Sequence, residues 1–345
     1  MKTKYPSTEQ FRNIVRLVRN EAAFEGLDDD GDPIYNLAPE YPIIDAVGTV
    51  KLHGTNAGVS YDIDNDECYA HSRKAKLDES KPGDLYGFVG FFNLYKEALC
   101  AMLNSFKDEN HLETGIVTMY GEWAGSGIQS GVGISKVPKK LYVFALRWTV
   151  GTRTEWFDFG DGFRHTHYVW NEHYGKDFPI KLIDEFPTYN VTIDFANPEL
   201  CRNELVQITN QVEKECPVAK AFGVDNGIGE GVVYTFKYKN KTHRFKVKGE
   251  KHSVSNVKTL APIDTEKLNS INEFVEYAVT ENRVLQAMQE TNADSKQQTG
   301  DVMRWIANDI IKEESDTLED NNLEWKDVAK KASDAARRIF FSKIV

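Results

Sequence analysis

Lys51-Leu52-His53-Gly54-Thr55-Asn56 decides how this chain is read. The residues leading into it, Val47 to Leu52, are mostly apolar and β-branched and predict a strand, with Gly54 marking a turn at its end. The strand carries an amine to the rim of a sheet. An ordinary surface lysine beside a turn would look the same in isolation. A nucleophilic lysine differs in one demand: it must lose its proton near neutral pH. Lowering its pKa from about 10.4 to about 7.5 takes roughly 4 kcal/mol of differential interaction. Burial and neighbouring cations supply shifts of that size, so the sequence should offer basic residues that converge on Lys51.

It does so at Phe245-Lys246-Val247-Lys248, where alternation along a strand projects both lysines from one face. A solvated edge strand is the competing reading, since lysine is common there. Just upstream, Glu230-Gly231-Val232-Val233 sets a carboxylate at a strand start, and Tyr120-Gly121-Glu122-Trp123 sets another after Ile116–Met119. Two carboxylates, two paired lysines and a lysine–glycine turn together suggest a site for a metal-bound nucleotide.

Farther out, strands are expected at 47–52, 57–61, 116–121, 141–148, 231–236 and 243–247, with helices at about 8–25, 86–106 and 198–214. Regular strand–helix alternation is missing, so the expected class is α+β with mostly antiparallel sheets flanked by helices, not a doubly wound sheet. After Pro262 the pattern turns helical: Phe274, Val275, Ala278, Val279, Leu285 and Met288, then Val302, Trp305, Ile306 and Ile310, then a third set from Trp325 to Phe340. A small all-helical domain is therefore expected over 261–345, following a nucleotide-handling domain over 1–260.

The ordered blocks resemble the covalent nucleotidyltransferases, the superfamily of polynucleotide ligases and capping enzymes. Lys51 to Asn56 resembles that superfamily's lysine motif, and Arg73 in His71-Ser72-Arg73-Lys74 the arginine that follows it. Glu122, Phe144 in Leu141-Tyr142-Val143-Phe144, Glu230, and the pair Lys246 and Lys248 follow in the superfamily's order. His53 stands where DNA ligases and capping enzymes typically carry aspartate, which is similar to the RNA ligase 2 branch of tailed phages and kinetoplastid editing enzymes. The helical C-terminal pattern fits that branch, and Val279-Thr280-Glu281-Asn282-Arg283 adds a looser likeness.

The resemblance implies an ATP-grasp-like ligase fold and an ATP-dependent RNA ligase. Lys51 would attack the α-phosphate and carry AMP, and Lys246 and Lys248 would hold the phosphate. Phe144 would stack on adenine, a contact worth about 1–3 kcal/mol. Glu122 would bind the ribose, and Glu230 would place Mg2+ or Mn2+ through water. Arg73, Asn56 and His53 complete the nucleotide site, with Arg73 and Asn56 serving the ribose and the later chemistry. The implied partners are ATP and RNA with 3′-hydroxyl and 5′-phosphate ends, joined in RNA repair by a monomer, with single-stranded, tRNA or DNA breaks as alternative substrates. An RNA-end sensor without sealing activity is the alternative outside the enzymes. Ala145 departs from the pattern, because some relatives carry aspartate after the phenylalanine.

Composition narrows the rest. With 345 residues, 41% hydrophobic and 28% charged, the chain has room for one large and one small domain. No apolar run suggests a membrane span, and Met1 to Pro6 lacks the apolar stretch of a secretory signal, so a cytoplasmic protein is expected, in the host's cytoplasm if it is of phage origin. The net charge of −11 argues against nucleic acid only on average; the local clustering of Lys and Arg matters more. Lys326, Lys330, Lys331, Arg337, Arg338 and Lys343 bias the last helix towards positive charge, which suits either a phosphate backbone or a solvated face. Asp28 to Pro33 lacks the later glutamate of a calcium loop, and Gly125 to Gly131 is not a dinucleotide fingerprint. Cys68, Cys100, Cys201 and Cys216 form no CxxC pair and are expected as reduced thiols.

Overall fold

A computed structural model describes residues 4–175, 177–249, 265–321 and 323–344. Its first half runs β1 (Glu9–Gln10), α1 (Phe11–Ala23), β2 (Phe24–Leu27), β3 (Pro33–Tyr35), β4 (Ile43–Lys51), β5 (Thr55–Asp62), β6 (Glu67–Ser72), α2 (Asp84–Glu109), β7 (Ile116–Ala124), β8 (Lys140–Val150), β9 (Arg153–Phe157) and α3 (Asp161–Tyr174). There follow β10 (Ile180–Leu182), β11 (Thr188–Asp194), α4 (Arg202–Lys214), α5 (Pro217–Ala221), β12 (Gly231–Tyr238) and β13 (Lys241–Lys248). The last helices are α6 (Thr265–Ala278), α7 (Glu281–Thr291), α8 (Thr299–Glu313), α9 (Ser315–Asp320) and α10 (Trp325–Lys343). The fold is α+β, as expected.

Two compact units divide the described chain: residues 4–14, 45–192 and 204–249 in one, and 15–44, 193–203 and 265–344 in the other. The boundary expected at 260/261 lies outside the described residues.

In the first unit, one sheet has the order β1-β13-β12-β4-β11 and a second has β10-β8-β7-β5-β6, with β9 on the outer part of β8. Pairing is mostly antiparallel; β1 on β13 and β10 on β8 are parallel. Ala57, Val59 and Tyr61 alternate along β5 and share a core with Val117 and Met119 of β7 and the apolar side of α2. That side is Phe88, Phe92, Leu99, Met102, Leu103 and Phe106, whose steps of four, seven, three, one and three residues keep to one helix stripe. Fully burying each such side chain contributes about 1.5–3 kcal/mol. The start of α2 is irregular: Leu85, Tyr86 and Gly87 have positive φ, so regular helix begins at Phe88.

Two details of this unit depart from expectation. Cys68 on β6 and Cys100 on α2 form a disulfide with Cα atoms 6.1 Å apart, which corrects the reading of all four cysteines as reduced thiols; Cys201 and Cys216 are free and buried. Packing α2 against the sheet brings together two cysteines 32 residues apart in sequence. The helix α3 was not anticipated, because only Phe163 and His167 of it are fully buried.

The second unit joins a small β2–β3 hairpin to the C-terminal helices. Val328, Ala332, Ala336 and Phe340 recur every four residues on α10 and pack with Val302, Ile306 and Ile310 of α8 and Val284 of α7. Arg283 ties the bundle together. Its Nε reaches Asp309 Oδ2 at 2.8 Å, one Nη reaches Glu314 Oε1 at 2.8 Å, and the other Nη donates to the Ala278 carbonyl. All three side chains are less than a quarter exposed, so Arg283→Ala would strand two carboxylates in a poorly hydrated place. A loss of about 2–4 kcal/mol is expected, read as a lower urea midpoint. An unchanged midpoint would show the network to be a solvated decoration.

The basic bias of α10 is largely consumed within the protein. Lys331 binds Glu199 at 2.6 Å and Asn272 at 2.7 Å, Lys343 binds Glu281 at 2.5 Å, and Lys326 binds Glu324 at 2.7 Å. Arg337 lies 4.0 Å from Asp334, so four of the six basic residues of α10 have carboxylate partners.

Candidate active site

Register places the candidate residues in tiers across one face of the first sheet. Gly231 of β12 pairs with Lys51 of β4 on one side and Lys248 of β13 on the other. Two residues inward, Val233 lies between Thr49 and Lys246; two further, Thr235 lies between Val47 and Arg244. Side chains two residues apart share a face, so Lys248, Lys246 and Arg244 form a ladder with steps of roughly 6.6 Å.

The first tier is an ion cluster. Lys51 Nζ lies 2.5 Å from Glu230 Oε2, Lys248 Nζ lies 2.7 Å from Oε1, and His53 Nδ1 lies 3.5 Å from Oε2. Glu230 is 3% exposed. Burial alone would raise its carboxyl, but Lys51 and Lys248 outweigh burial and hold it below the usual carboxylate range. In the second tier, burial lowers the Lys246 ammonium, and the Lys248 and Lys51 cations lower it further.

The second sheet supplies the opposite wall. Asn56 of β5 is the cross-strand partner of Glu122 on β7. Glu122 Oε1 accepts the Gly54 amide at 3.0 Å, and Gln129 Nε2 donates to the Gly54 carbonyl at 3.3 Å. The turn after Lys51 is thus held from both sides. Gly54 has to be glycine, because a Cβ there would collide with the Trp123 carbonyl. Asn56 Oδ1 is buried with no hydrogen-bond partner among the described residues.

A β-bulge sets Phe144. Tyr120 pairs with Ala145 but Gly121 with Val143, leaving Phe144 as the extra residue of β8. The parity of β8 changes there. Val143 and Leu146 belong to the α2 side, whereas Phe144 and Ala145 join Tyr5, Tyr120 and Trp156 on the cavity side.

Between the sheets lies a cavity of about 460 Å³, within the range of small-molecule sites. Lys51, Asn56, Arg73, Glu122, Phe144 and Lys246 line it, whereas Glu230, His53 and Lys248 form the cluster at Lys51. Arg73 is held by the N-terminal segment: its Nε donates to the Tyr5 carbonyl at 3.4 Å and one Nη to Ser7 Oγ at 3.0 Å. Tyr5 to Thr8 also form cavity wall, and the Tyr5 ring meets Phe144 edge-on at 5.2 Å. Neither this segment nor Arg244 was anticipated as part of the site. The signal for Arg244 was present in the alternation of Arg244, Lys246 and Lys248.

Burial pushes the Glu122 carboxyl up to about 7, against the pull of Lys51 and the Gly54 amide. Because the folded value lies above the ordinary value of 4.5, the folded state holds the extra proton between them. Stability should therefore fall as pH rises through that window and level off above it. Melting temperatures of the wild type and Glu122→Gln should run together below pH 4.5 and separate in the variant's favour as pH rises from 4.5 to about 7, with a constant gap above that. A constant difference across the window would refute the shift.

No group of three or more His, Cys, Asp or Glu side chains able to hold a metal occurs among the described residues. Both Glu230 oxygens are occupied by lysine ammoniums.

A family model for RNA ligase matches residues 44–248, a span holding every residue named in the cavity except the N-terminal segment. The chain belongs to the RNA ligase family. None of the curated proteins matches it. Among solved structures, a mutant Naegleria gruberi RNA ligase with AMP and Mn is similar at 13% identity and a TM-score of 0.44, covering 73% of this chain and 57% of that one. The same organism's ligase with PPi is similar at 13% identity and a TM-score of 0.43, covering 72% and 58%. The chain therefore spans less than two thirds of the length of those ligases.

Proposed function

We propose that the protein is an ATP-dependent RNA ligase that carries AMP on Lys51 and joins a 3′-hydroxyl to a 5′-phosphate, in the manner of the RNA ligase 2 branch. The observation that carries this reading is the first tier: an amine at the end of β4, facing a nucleotide-sized cavity and contacting a buried carboxylate shared with a second lysine.

While Lys51 donates to Glu230, its nitrogen has no lone pair free for attack. Lys246 and Lys248 would hold the phosphate oxygens of ATP, and Glu230 would hold, through water, the Mg2+ or Mn2+ that accompanies them, which would neutralise phosphate charge. Lys51 gives one ammonium proton to solvent, its Nζ attacks the α-phosphorus, the bond to pyrophosphate breaks, and a second proton leaves the nitrogen as the phosphoramidate forms. Phe144 stacks on adenine and Glu122 accepts from a ribose hydroxyl, a role in which its carboxylate form is the better acceptor. The RNA 5′-phosphate next takes AMP from Lys51, and the 3′-hydroxyl displaces AMP to close the strand. Asn56, whose Oδ1 has no hydrogen-bond partner among the described residues, and Arg73, which lines the cavity, would serve these later steps. The protein works as a monomer in the cytoplasm, in RNA repair.

Incubation with ATP and magnesium should add the mass of one AMP to the intact protein. The loaded protein should then seal nicked duplex RNA faster than single-stranded RNA or nicked DNA. Absence of the mass increase would refute the reading, and AMP loading without sealing would favour an RNA-end sensor.

A further inference from the structure

Arg244 is the third cation of the β13 ladder, and the ion cluster does not use it. It stands opposite Thr235, two tiers inward from Lys51 and Lys248, at roughly 13 Å along the strands. Its guanidinium carbon lies 4.0 Å from the centre of the Trp156 ring and 5.7 Å from that of Tyr5, and it lines the cavity. No hydrogen bond and no carboxylate within ion-pair distance engages it among the described residues; Asp158, the acidic group it feels, pairs with Lys237 at 2.9 Å. A guanidinium held over an indole face keeps its N–H groups in its own plane, where they can point outward past the ring.

Position selects what those N–H groups meet. The phosphate-handling groups cluster at Lys51, whereas Tyr5 links Arg244 to Phe144, the residue placed for base stacking. Next to Phe144, on the same side of the bulge, Ala145 offers no acceptor. This end of the cavity therefore holds a donor-only group with no hydrogen-bond acceptor engaged among the described residues. Adenine presents the complementary edge: ring nitrogens that accept and cannot donate.

We propose that Arg244 is a base-reading residue, donating from its perch on Trp156 to a ring nitrogen of the purine nucleotide bound in the cavity. This rests on the nucleotide-binding part of the proposed function and adds a specificity determinant to it.

The test is a thermodynamic cycle on the full chain carrying Lys51→Ala, which binds ATP without transferring AMP. Dissociation constants are measured for ATP and for 1-deaza-, 3-deaza- and 7-deaza-ATP, with Arg244 present and with Arg244→Met. With Arg244 present, one of the three analogues should bind about tenfold more weakly than ATP, the worth of one hydrogen bond to a charged group. In Arg244→Met that analogue and ATP should bind alike to within about twofold, an absence of coupling that a packing defect would not produce. Arg244→Lys, which keeps the charge and loses the flat fork, should behave like Arg244→Met and serves as the comparison should the methionine variant fail to fold. Equal analogue penalties in both backgrounds would overturn the proposal. So would loss of competition by pyrophosphate as the sole effect of Arg244→Met, which would make Arg244 a phosphate ligand. AMP loading of the otherwise unaltered protein is scored separately, so failure of the ligase reading and failure of base reading give different results.

Discussion

Lys51→Ala is expected to end AMP attachment completely while leaving the protein folded. The nucleophile has no understudy. Lys248 is held on the other Glu230 oxygen at 2.7 Å, and Lys246 stands a tier inward on a different strand. Stability should change little, because Lys51 is 21% exposed and Glu230 keeps Lys248 when Lys51 is gone. Losing one charge-assisted hydrogen bond at a partly hydrated site costs no more than about 2 kcal/mol. Intact-mass measurement after incubation with ATP checks the first half and thermal melting the second. AMP found on the variant would remove Lys51 from its role, and an unfolded variant would mean that the ion cluster is structural.

Glu230→Gln should be nearly as damaging by a different route. The carboxylate is the point at which Lys51 and Lys248 meet, and a glutamine of the same shape can accept from only one of them while its amide confronts the other. Lys51 would lose its fixed direction, and a misplacement of about 1 Å at a reacting atom can cost about 100-fold. AMP loading should therefore fall by about 100-fold or more. ATP binding, measured in the Lys51→Ala background, should fall far less. A loss confined to binding would make Glu230 a nucleotide contact and not a positioning group.

Much of this site was legible because its residues sit on strands whose alternation can be counted. The pair Lys246 and Lys248 and the strand ending at Lys51 follow from period two, and the register sets Lys51, Gly231 and Lys248 in one tier with Lys246 in the next. The unread parts depend on relations that period cannot express. The bulge at Phe144 shifts the parity of β8 within the strand, so Ala145 packs with Tyr5 and Tyr120 although simple alternation would send it to the α2 side. Tyr5 becomes cavity wall only because Arg73 and Arg147 hold the backbone of residues 4 and 5, bonds between segments far apart in sequence. In the helical region the periodicity of α10 was plain, but the carboxylate partners of Lys331 and Lys343, Glu199 and Glu281, lie far away in sequence and could not be read from it.

The second unit is assembled from three separated stretches of chain, and this bears on the order in which the protein can be made. Residues 15–44 leave the ribosome early, yet the helices that complete their unit begin at Thr265. At about 5–20 residues per second, the early segment waits on the order of tens of seconds for them. During that interval the apolar side chains of Phe24, Leu27 and Ile34, which stay exposed even in the finished fold, have no completed unit around them. The sheets bearing Lys51 can close sooner, since their last strand ends at Lys248. Synthesis halted before Thr265 would thus leave a chain with its nucleotide cavity formed and its second unit still open.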